Sequence, residues 1–480
     1  MNLLRGQLIN VSNRLPVQLK KYAGGMRITP SSGGLASALG SVWKNQKGTW
    51  IGWAGRGDAE QSEELLAKAS TKRAYTLRGV ILSDDEVTKF YSGFANEIIW
   101  PLFHDFPSRC NFDPDYWEVY QRVNRKFAQA TAEAAADKND FIWAHDYHLM
   151  LMAQHLREQG SVASTGFFLH IPFPAPGMFE KLPWRESILL GLLHYDLLGF
   201  QSSGDRDNFV DCLGRLLPAA IVKSGPPPIL EVSFENRRTT IGYFPISVDF
   251  EEFAGRAASS SVATRSGTLR QEMNENVLVL GVDRLDYTKG IPERLKAFRI
   301  FLRRFPEWRH KITLMQVVVP SREDIQNYKD LRREVELLVT QINGEFTEPG
   351  WIPIHYLHRN LDRDELLAYY RAADIALVTS LKDGMNLVAK EFCAAQVDER
   401  GVLIISEFAG AAPELHGGAI VVNPNDLSGI GQALHDACMM QPEEKRRRMH
   451  ALRNIVKEND VARWADSFLK SVPSYLENHR

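Results

Sequence analysis

Two strand-to-helix loops in the second half of the chain carry charged side chains that could hold a phosphorylated ligand. In GVDRLDYTKGIPERLKAF (281–298), an apolar strand precedes Arg284 and Lys289, and a helix is predicted to follow. Two cations beside a helix N-terminus can bind a diphosphate and stabilise the negative charge that grows on a departing nucleotide. The residues alone equally allow a solvated loop in which Asp283 and Asp286 pair with these cations.

The second loop lies in SLKDGMNLVAKEF (380–392) and again joins a predicted strand to a predicted helix. Asp383 could accept hydrogen bonds from sugar hydroxyls, and Glu391, one turn into the helix, could bind ribose hydroxyls. The residues between them are Gly384, Met385 and Asn386 in the turn, then Leu387 and Val388 at the start of the helix. Asp383 could instead serve only as a helix cap.

Glycine and arginine residues in other loops are further candidates for ligand binding. Gly33 and Gly34 precede a helix of small residues, where their backbone could approach a ligand closely. Arg14 and Arg322 each follow a predicted strand, so either guanidinium could bind a phosphate through two hydrogen bonds. A surface salt bridge is the alternative for both arginines.

Two neighbouring segments of the first half, WAHDYHLM and FFLHIPFP, end apolar strands with polar side chains. Asp146 and His170 are the candidates for a site there, although a histidine in this position can also be a structural core residue. The sequence HDYH could hold a metal, but no third ligand has a recognisable spacing, and we predict no metal site.

Short apolar runs rich in β-branched residues alternate with amphipathic segments along the chain. The predicted strands are 7–12, 140–145, 166–171 and 197–201 in the first half, and 277–282, 312–319, 375–380 and 402–407 in the second. Two of the predicted helices are 291–306 and 363–374. Continuous apolar strands separated by helices are typical of parallel sheets covered on both faces, so two doubly wound α/β domains are predicted. Ligands of such sheets bind beyond the carboxyl ends of the strands, and an interdomain cleft is expected.

Composition excludes several classes of protein. The 480 residues are 44% hydrophobic and 24% charged, and the net charge of −2 gives no overall field for binding nucleic acid or an anionic membrane. No apolar run reaches the ~20 residues that span a bilayer, and the N-terminal segment lacks the apolar core of a signal peptide. The four cysteines are widely scattered. We therefore predict a cytoplasmic protein that binds neither nucleic acid nor membrane.

Several motifs together resemble the trehalose-6-phosphate synthases. They are SNRLP, SSGGL, WIGWAG, FYSGFANEIIWPLFH, WAHDYHL, HIPFP, DRLDYTKG, VPSR and DGMNLVAKEF, and they run in the family's order from about residue 7 to about residue 465. The resemblance implies a GT-B architecture of two Rossmann-like domains facing across a cleft. The acceptor-binding domain would span 1–247, with a C-terminal helix at 457–480 packing back on it, and the donor-binding domain would span 248–456.

The resemblance also implies a role for each candidate residue. In the donor site, Gly33 and Gly34 would form a loop over the donor, and His170 would lie near the glucose 6-hydroxyl. Arg284 and Lys289 would bind the diphosphate, Glu391 would bind the ribose, and the backbone of Leu366 would contact the nucleotide. The glucose and the phosphates would be bound by Asp383 and by the backbone of Gly384, Met385, Asn386, Leu387 and Val388. The acceptor-binding residues would be Arg14, Trp53, Tyr91, Trp100, Asp146 and Arg322. The catalytic residues would be Arg284, Lys289, Asp383, His170 and Asp146.

The activity implied is that of a retaining glucosyltransferase. It would make α,α-trehalose 6-phosphate from UDP-glucose and glucose 6-phosphate and release UDP, with no metal or other cofactor. The alternatives are a sister activity of the glucosylglycerol-phosphate synthase type and a catalytically silent regulatory subunit of a trehalose-making complex. The base of the donor nucleotide, whether uracil, adenine or guanine, stays open, as does assembly into a homodimer or homotetramer.

Overall fold

The computed structural model describes residues 6–22, 25–30, 39–40, 42–43, 47–55, 59–135, 137–225, 228–322 and 325–472. The chain divides into two compact units, the first formed by Met1–Ile246 with Val461–Arg480, and the second by Ser247–Asp460. The divisions thus fall at 246/247 and 460/461, where the sequence-based boundaries were 247/248 and 456/457.

The first unit is built on one large sheet. Its strands, together with those of a small hairpin, are β1 (Leu8–Arg14), β2 (Val17–Tyr22), β3 (Gly25–Pro30), β4 (Gly48–Trp53), β5 (Thr76–Val80), β6 (Phe141–His145), β7 (Ser164–Phe168), β8 (Leu197–Phe200), β9 (Ile221–Ser224), β10 (Leu230–Phe234) and β11 (Arg237–Tyr243). Within the described residues the sheet has nine strands in the order β5-β4-β1-β6-β7-β8-β11-β10-β9, and β2 pairs with β3. Neighbours from β5 to β11 are parallel, whereas β10 is antiparallel to both β11 and β9.

Helices lie between the strands of this unit. They are α1 (Ala59–Ser70), α2 (Asp84–Glu86), α3 (Trp100–Phe103), α4 (Pro114–Ala132), α5 (Met152–Glu158), α6 (Pro176–Phe179), α7 (Arg185–Leu192) and α8 (Ser203–Leu216). A π-helical segment occupies Val87–Ile99, and a short 3-10 helix occupies Pro107–Arg109.

The second unit is built on a parallel sheet. Its strands are β12 (Val277–Arg284), β13 (Ile312–Val319), β14 (Ile354–His358), β15 (Ile375–Val378), β16 (Val402–Ser406) and β17 (Ile420–Val422), in the order β14-β13-β12-β15-β16-β17. Its helices are α9 (Phe250–Ala257), α10 (Ser260–Glu272), α11 (Ile291–Arg304), α12 (Gln326–Phe346), α13 (Arg363–Ala372), α14 (Leu387–Ala395), α15 (Ala412–Leu415), α16 (Leu427–Met439) and α17 (Pro442–Glu458). Short 3-10 helices occupy Tyr287–Lys289 and Pro306–Trp308.

The predicted fold class is confirmed. Each of the eight predicted strands is present within three residues of its predicted ends, and both predicted helices form, because buried β-branched runs are covered by helices on either face. In β1, six of seven residues are buried, and Arg14 at the carboxyl end is the exposed one. β12 repeats this pattern with Arg284. In both units, therefore, an apolar strand ends with an arginine at the carboxyl edge of the sheet, where the loops begin.

The last helix of the described chain, α18 (Val461–Lys470), packs on the sheet of the first unit. The rings of Phe468 and Trp143 stack with centroids 4.7 Å apart, and Phe468 also meets Phe244 at 5.3 Å. A Cβ added at Gly166 or Gly199 would lie 3.0 Å or 2.7 Å from the Phe468 ring. The two glycines, on neighbouring strands, therefore form the groove that receives this ring.

Two further observations concern the whole described chain. None of the helices seen in the described ranges is long and apolar enough to cross a membrane.

All four cysteines are free thiols, and burial raises the pKa of each to about 12, which keeps the reactive thiolate scarce.

Removing the Phe468 ring should destabilise the first unit. Phe468→Ala leaves a cavity over Gly166 and Gly199 and should lower the free energy of unfolding by about 3–5 kcal/mol in a denaturant titration. Val162→Ala is the control, because Val162 of the same unit is 71% exposed and its truncation should cost no more than about 0.5 kcal/mol. Equal costs for the two substitutions would show that α18 does not complete this core.

Candidate active site

Arg14 lies between two aromatic rings at the carboxyl edge of the first sheet. It is in register with Trp53, because β1 and β4 are parallel neighbours that end together. Its guanidinium carbon lies 5.2 Å from the centroid of the Trp53 ring and 4.7 Å from that of Tyr91. Both distances suit cation–π contacts, which hold the guanidinium in one place while leaving its N–H groups to bind an anion. The structure thus brings together three of the predicted acceptor residues.

An aromatic wall continues from Tyr91 towards the loop after β6. Tyr91 lies on the π-helical segment and stacks on His148 at 5.9 Å with an interplanar angle of 11°. Trp100 is buried at the start of α3, with its ring 5.9 Å from that of Tyr147. The Tyr147 hydroxyl in turn donates to Asn96 Oδ1 at 3.0 Å. The predicted acceptor residues Tyr91 and Trp100 therefore contact the same loop, the one that begins with Asp146.

Asp146 and His170 are brought together because β6 and β7 are parallel neighbours. Asp146 has a positive φ of 76°, and its amide donates to Phe168 O at 2.8 Å. Its carboxylate Oδ1 accepts hydrogen bonds from the amides of Tyr147 at 3.0 Å and His170 at 3.3 Å. The carboxylate therefore ties the ends of the two strands to each other.

His170 forms a pair with His145 that the sequence did not suggest. Nε2 of His170 lies 3.1 Å from Nδ1 of His145, so one ring donates a proton and the other accepts it. Burial lowers the pKa of His170 to about 3 and that of His145 well below its usual value. Both rings are therefore neutral at physiological pH, and His170 can exchange hydrogen bonds with a neutral hydroxyl but cannot contribute a positive charge.

In the second unit, Lys289 and Asp383 form an ion pair between two loops. Lys289 is 9% exposed, and its Nζ donates to Asp383 Oδ2 at 2.6 Å. Gly290, with a φ of 62°, lets the chain turn into α11 against the next strand, because a Cβ there would lie 2.2 Å from Thr379 O. The loops after β12 and β15 consequently meet at a fixed place.

Asp383 is held by further donors, and it is not the helix cap. Its Oδ2 also accepts from Ser380 Oγ at 3.2 Å and Asn386 Nδ2 at 3.1 Å. Asn386, at a φ of 78°, caps α14 by accepting from the amide of Ala389 at 3.0 Å. The interpretation of Asp383 as only a cap is therefore wrong.

The remaining predicted donor residues lie on α14 and on the neighbouring helix α13. Gly384 and Met385 are buried in the turn before α14, and Leu387 and Val388 begin that helix, half-buried. Glu391 Oε2 accepts from the Tyr370 hydroxyl at 2.8 Å, and burial raises its carboxyl pKa. Leu366 is half-buried on α13, the helix that carries Tyr370. Gly33 and Gly34 lie outside the described residues.

Arg322, the remaining predicted acceptor residue, belongs to the second unit. It has a positive φ of 49° after β13, and only 5% of its side chain is exposed. Nη1 donates to Asp286 Oδ2 at 3.3 Å and also to the Tyr328 hydroxyl. Its guanidinium is therefore already aligned by a carboxylate and a phenol.

The solvated-loop alternative for residues 281–298 is wrong. Asp283 bonds to Arg294 and Asp286 to Arg322, while Lys289 reaches across to Asp383. Asp283, Asp286 and Lys289 are also buried, so this part of the loop is not solvated. Arg284 itself is exposed at the end of β12.

Sequence reasoning missed two buried cations in this unit. Arg294 and Lys390 are both fully buried, and they pair with Asp283 and Glu414. Burial lowers the pKa of Lys390. Helical periodicity could have found Arg294, because it lies three and four residues from two buried apolar positions of α11.

In the described part of the chain, no three histidine, cysteine, aspartate or glutamate side chains are grouped so that they could hold a metal ion.

Comparison with known proteins identifies the family of this chain. The pattern of glycosyltransferase family 20 matches residues 6–474. The chain belongs to glycosyltransferase family 20. It is 43% identical over 467 residues to a trehalose-6-phosphate synthase of Mycolicibacterium smegmatis, and the match covers 96% of this chain and 91% of the relative.

Two solved structures resemble this fold. An α,α-trehalose-phosphate synthase (UDP-forming) from Burkholderia xenovorans, in complex with glucose 6-phosphate, has a TM-score of 0.87 at 34% identity, with 98% of this chain and 100% of that one covered. An E. coli trehalose-6-phosphate protein bound to UDP-2-fluoro glucose has a TM-score of 0.87 at 35% identity, with coverages of 97% and 99%. The chain accordingly has the GT-B architecture, and it is a glycosyltransferase.

The neutral histidine pair should make this transferase less stable as the pH falls. The folded pKa of His170, about 3, lies below the usual value of 6.5, so the unfolded chain binds more protons between these values. The free energy of unfolding should therefore decrease as the pH falls from 7 to 5. His170→Asn should remove about 1–2 kcal/mol of that decrease in urea titrations at the two pH values. A pH dependence identical to that of the parent protein would contradict the neutral pair.

Proposed function

We propose that this chain is a retaining glucosyltransferase that makes α,α-trehalose 6-phosphate from UDP-glucose and glucose 6-phosphate and releases UDP. The observation that carries the proposal is its agreement, along almost its whole length, with family 20 relatives named for this activity. The complexes of its structural neighbours with glucose 6-phosphate and a UDP-glucose analogue support the two substrates.

We assign the donor to the carboxyl edge of the second sheet. Arg284 and Lys289 would face the diphosphate, where fixed positive charge stabilises the leaving group most in the transition state. The amides at the start of α14 would add the favourable field of a helix N-terminus. Asp383, held by three donors, would accept hydrogen bonds from the glucose hydroxyls, and Glu391 from the ribose.

We assign the acceptor phosphate to Arg14 together with Arg322. The Arg14 guanidinium is fixed between two rings, and planar N–H groups suit a phosphate better than an ammonium does. Trp53, Tyr91 and Trp100 would contact the faces of the sugar. Asp146 would orient the attacking hydroxyl from the loop after β6.

The mechanism proposed is a front-face substitution. The acceptor hydroxyl attacks the anomeric carbon from the side on which UDP departs, the carbon–oxygen bond to the β-phosphate breaks, and that phosphate oxygen takes the hydroxyl proton. A neutral His170 fits this scheme as a hydrogen-bond partner of a donor hydroxyl, since it is no acid at neutral pH. The protein would contribute positioning and charge stabilisation.

Metal independence follows from the same assignment, because two cations take the place of a divalent ion at the diphosphate. Location in the cytoplasm and assembly into a homodimer or homotetramer stay predictions from the sequence.

The proposal is tested by nucleotide release from UDP-, ADP- and GDP-glucose with glucose 6-phosphate or glycerol 3-phosphate, in the presence of EDTA. UDP release that requires glucose 6-phosphate and yields an α,α-linked disaccharide phosphate is expected. Release only with glycerol 3-phosphate would assign the sister activity instead. If no nucleotide is released from any donor with either acceptor, a regulatory subunit is favoured. If activity is lost in EDTA and restored by a divalent ion, the proposed metal independence is wrong.

Lys289→Ala should lower kcat about 100-fold, because the leaving phosphate loses a fixed positive charge in a site shielded from water. Initial rates of UDP release measure the effect. Lys296→Ala is the matched control, since Lys296 lies at the surface on α11 and pairs only with Glu334 among the described residues. Turnover of Lys289→Ala equal to that of the control would remove Lys289 from the donor site.

Arg14→Ala should raise the KM for glucose 6-phosphate about tenfold or more and leave the KM for UDP-glucose nearly unchanged, because the acceptor phosphate loses charge-assisted hydrogen bonds. Arg322→Lys should act in the same direction by losing the planar fork. Arg304→Ala is the control, since that arginine also lies over an aromatic ring, at 5.1 Å from the Phe305 centroid. An unchanged acceptor KM in both variants would contradict the acceptor assignment.

A further inference from the structure

A fully buried arginine, Arg294, lies beneath the two loops of the second unit. Its Nη1 donates to Asp283 Oδ2 and, at 3.1 Å, to Gln316 Oε1. Its Nε donates to Thr379 Oγ1 at 3.1 Å. A Cβ at Gly281 would lie 2.5 Å from Nη1, so a glycine at this point of β12 makes the space for the guanidinium.

These partners connect the guanidinium to both loops of the proposed donor site. Asp283 immediately precedes Arg284, and Arg294 is in the first turn of α11, five residues after Lys289. Thr379 immediately precedes Ser380, whose hydroxyl donates to Asp383. The Thr379 hydroxyl also donates to Gly290 O at 3.3 Å, the carbonyl just after Lys289. The Arg294 side chain thus bonds to Asp283 in β12 and to Thr379 just after β15, and Thr379 in turn bonds to the turn at Gly290.

Stability is a poor explanation for this pair. Burying two charges costs desolvation free energy that their attraction need not repay, and apolar side chains of the same volume often stabilise a protein as well or better. Nη2 of Arg294, moreover, is buried without a hydrogen-bond partner among the described residues. A rigid, planar guanidinium that bonds to Asp283, Gln316 and Thr379 at the same time fixes the relative positions of these three residues. This effect on geometry explains the pair better than a gain in stability does.

We propose that Arg294, through Asp283 and Thr379, is a positioning residue for the nucleoside-diphosphate part of the donor. It keeps the loop after β12 and the loop after β15 at the separation where Lys289 and Asp383 bind the donor, and it does not touch the donor itself. This inference rests on the proposed function, and it adds the residues that set the spacing of the donor site.

Arg294→Lys and Thr379→Val test the proposal. The first keeps the charge for Asp283 but cannot span the same partners, and the second removes a hydroxyl at constant shape. Each should raise the KM for UDP-glucose about 10- to 100-fold and weaken UDP binding in calorimetry by a similar factor, since small displacements of binding groups have effects of this size. The KM for glucose 6-phosphate should stay within about twofold. Thr379→Val provides the answer if Arg294→Lys does not fold.

The control is Arg270→Lys, which alters a second arginine fork of the same unit. Arg270 Nη1 donates to both Asp374 oxygens and to Ala372 O, all at 3.0 Å, and Asp374 Oδ2 accepts from Leu278 N at 2.9 Å. This pair joins β12 and β15 at their opposite ends, away from the loops. Arg270→Lys should lower the melting temperature while leaving the KM for UDP-glucose and the affinity for UDP nearly unchanged.

The outcomes separate the inference from the function on which it rests. The positioning role would be overturned if Thr379→Val left the KM for UDP-glucose and the affinity for UDP unchanged. It would also be overturned if Arg270→Lys altered both quantities to the same extent. A parent protein that binds UDP but transfers no glucose would overturn the proposed function, and the calorimetric comparison would still decide whether Arg294 positions the nucleotide site.

Discussion

Charge buried at the ends of parallel strands has to be matched within the protein, because water does not reach it. In the second unit this constraint determines which loops meet. The pairs are Lys289 with Asp383, Arg294 with Asp283, and Arg322 with Asp286. Each pair joins the end of β12 or its loop to a residue of another element, so the loops after β12, β13 and β15 hold one another in place. The nucleotide site proposed for these loops would then be formed before any ligand arrives, and fixed charge stabilises a transition state most when it is already in place.

The carboxyl edge of the first unit carries a different set of polar groups. The neutral rings of His145 and His170 share a hydrogen bond, Asp146 Oδ1 accepts from two backbone amides, and the Arg14 cation lies near two aromatic rings at the exposed end of β1. The two units therefore offer different chemistry at their carboxyl edges. The second presents matched buried charge suited to phosphates, and the first presents aromatic surface and neutral donors and acceptors suited to sugar hydroxyls, with one arginine for an anion.

Periodicity predicted eight of the parallel strands, because a strand buried on both faces is a continuous apolar run in the sequence. It missed the parallel strands β4, β5, β11, β14 and β17. It also missed the antiparallel strands β9 and β10, which are mostly exposed or half-buried, and the hairpin of β2 and β3. The positions of Arg14, Arg284 and Asp146 at strand ends were predictable from the sequence. The partners in the ion pairs were not predictable. Asp283 pairs with Arg294 only because the helix that carries Arg294 packs back against the strand that carries Asp283. Nothing in the spacing of His145 and His170 indicates that their rings touch, because that contact depends on which strands become neighbours.

The return of α18 to the first sheet makes the second unit an insertion within the first. A ribosome completes Ser247–Asp460 before it delivers Trp464 and Phe468. The second unit can therefore fold as one continuous stretch, whereas the first has to wait with the groove at Gly166 and Gly199 uncovered through more than two hundred residues of synthesis. The order of folding is then the reverse of the order in which the two units begin.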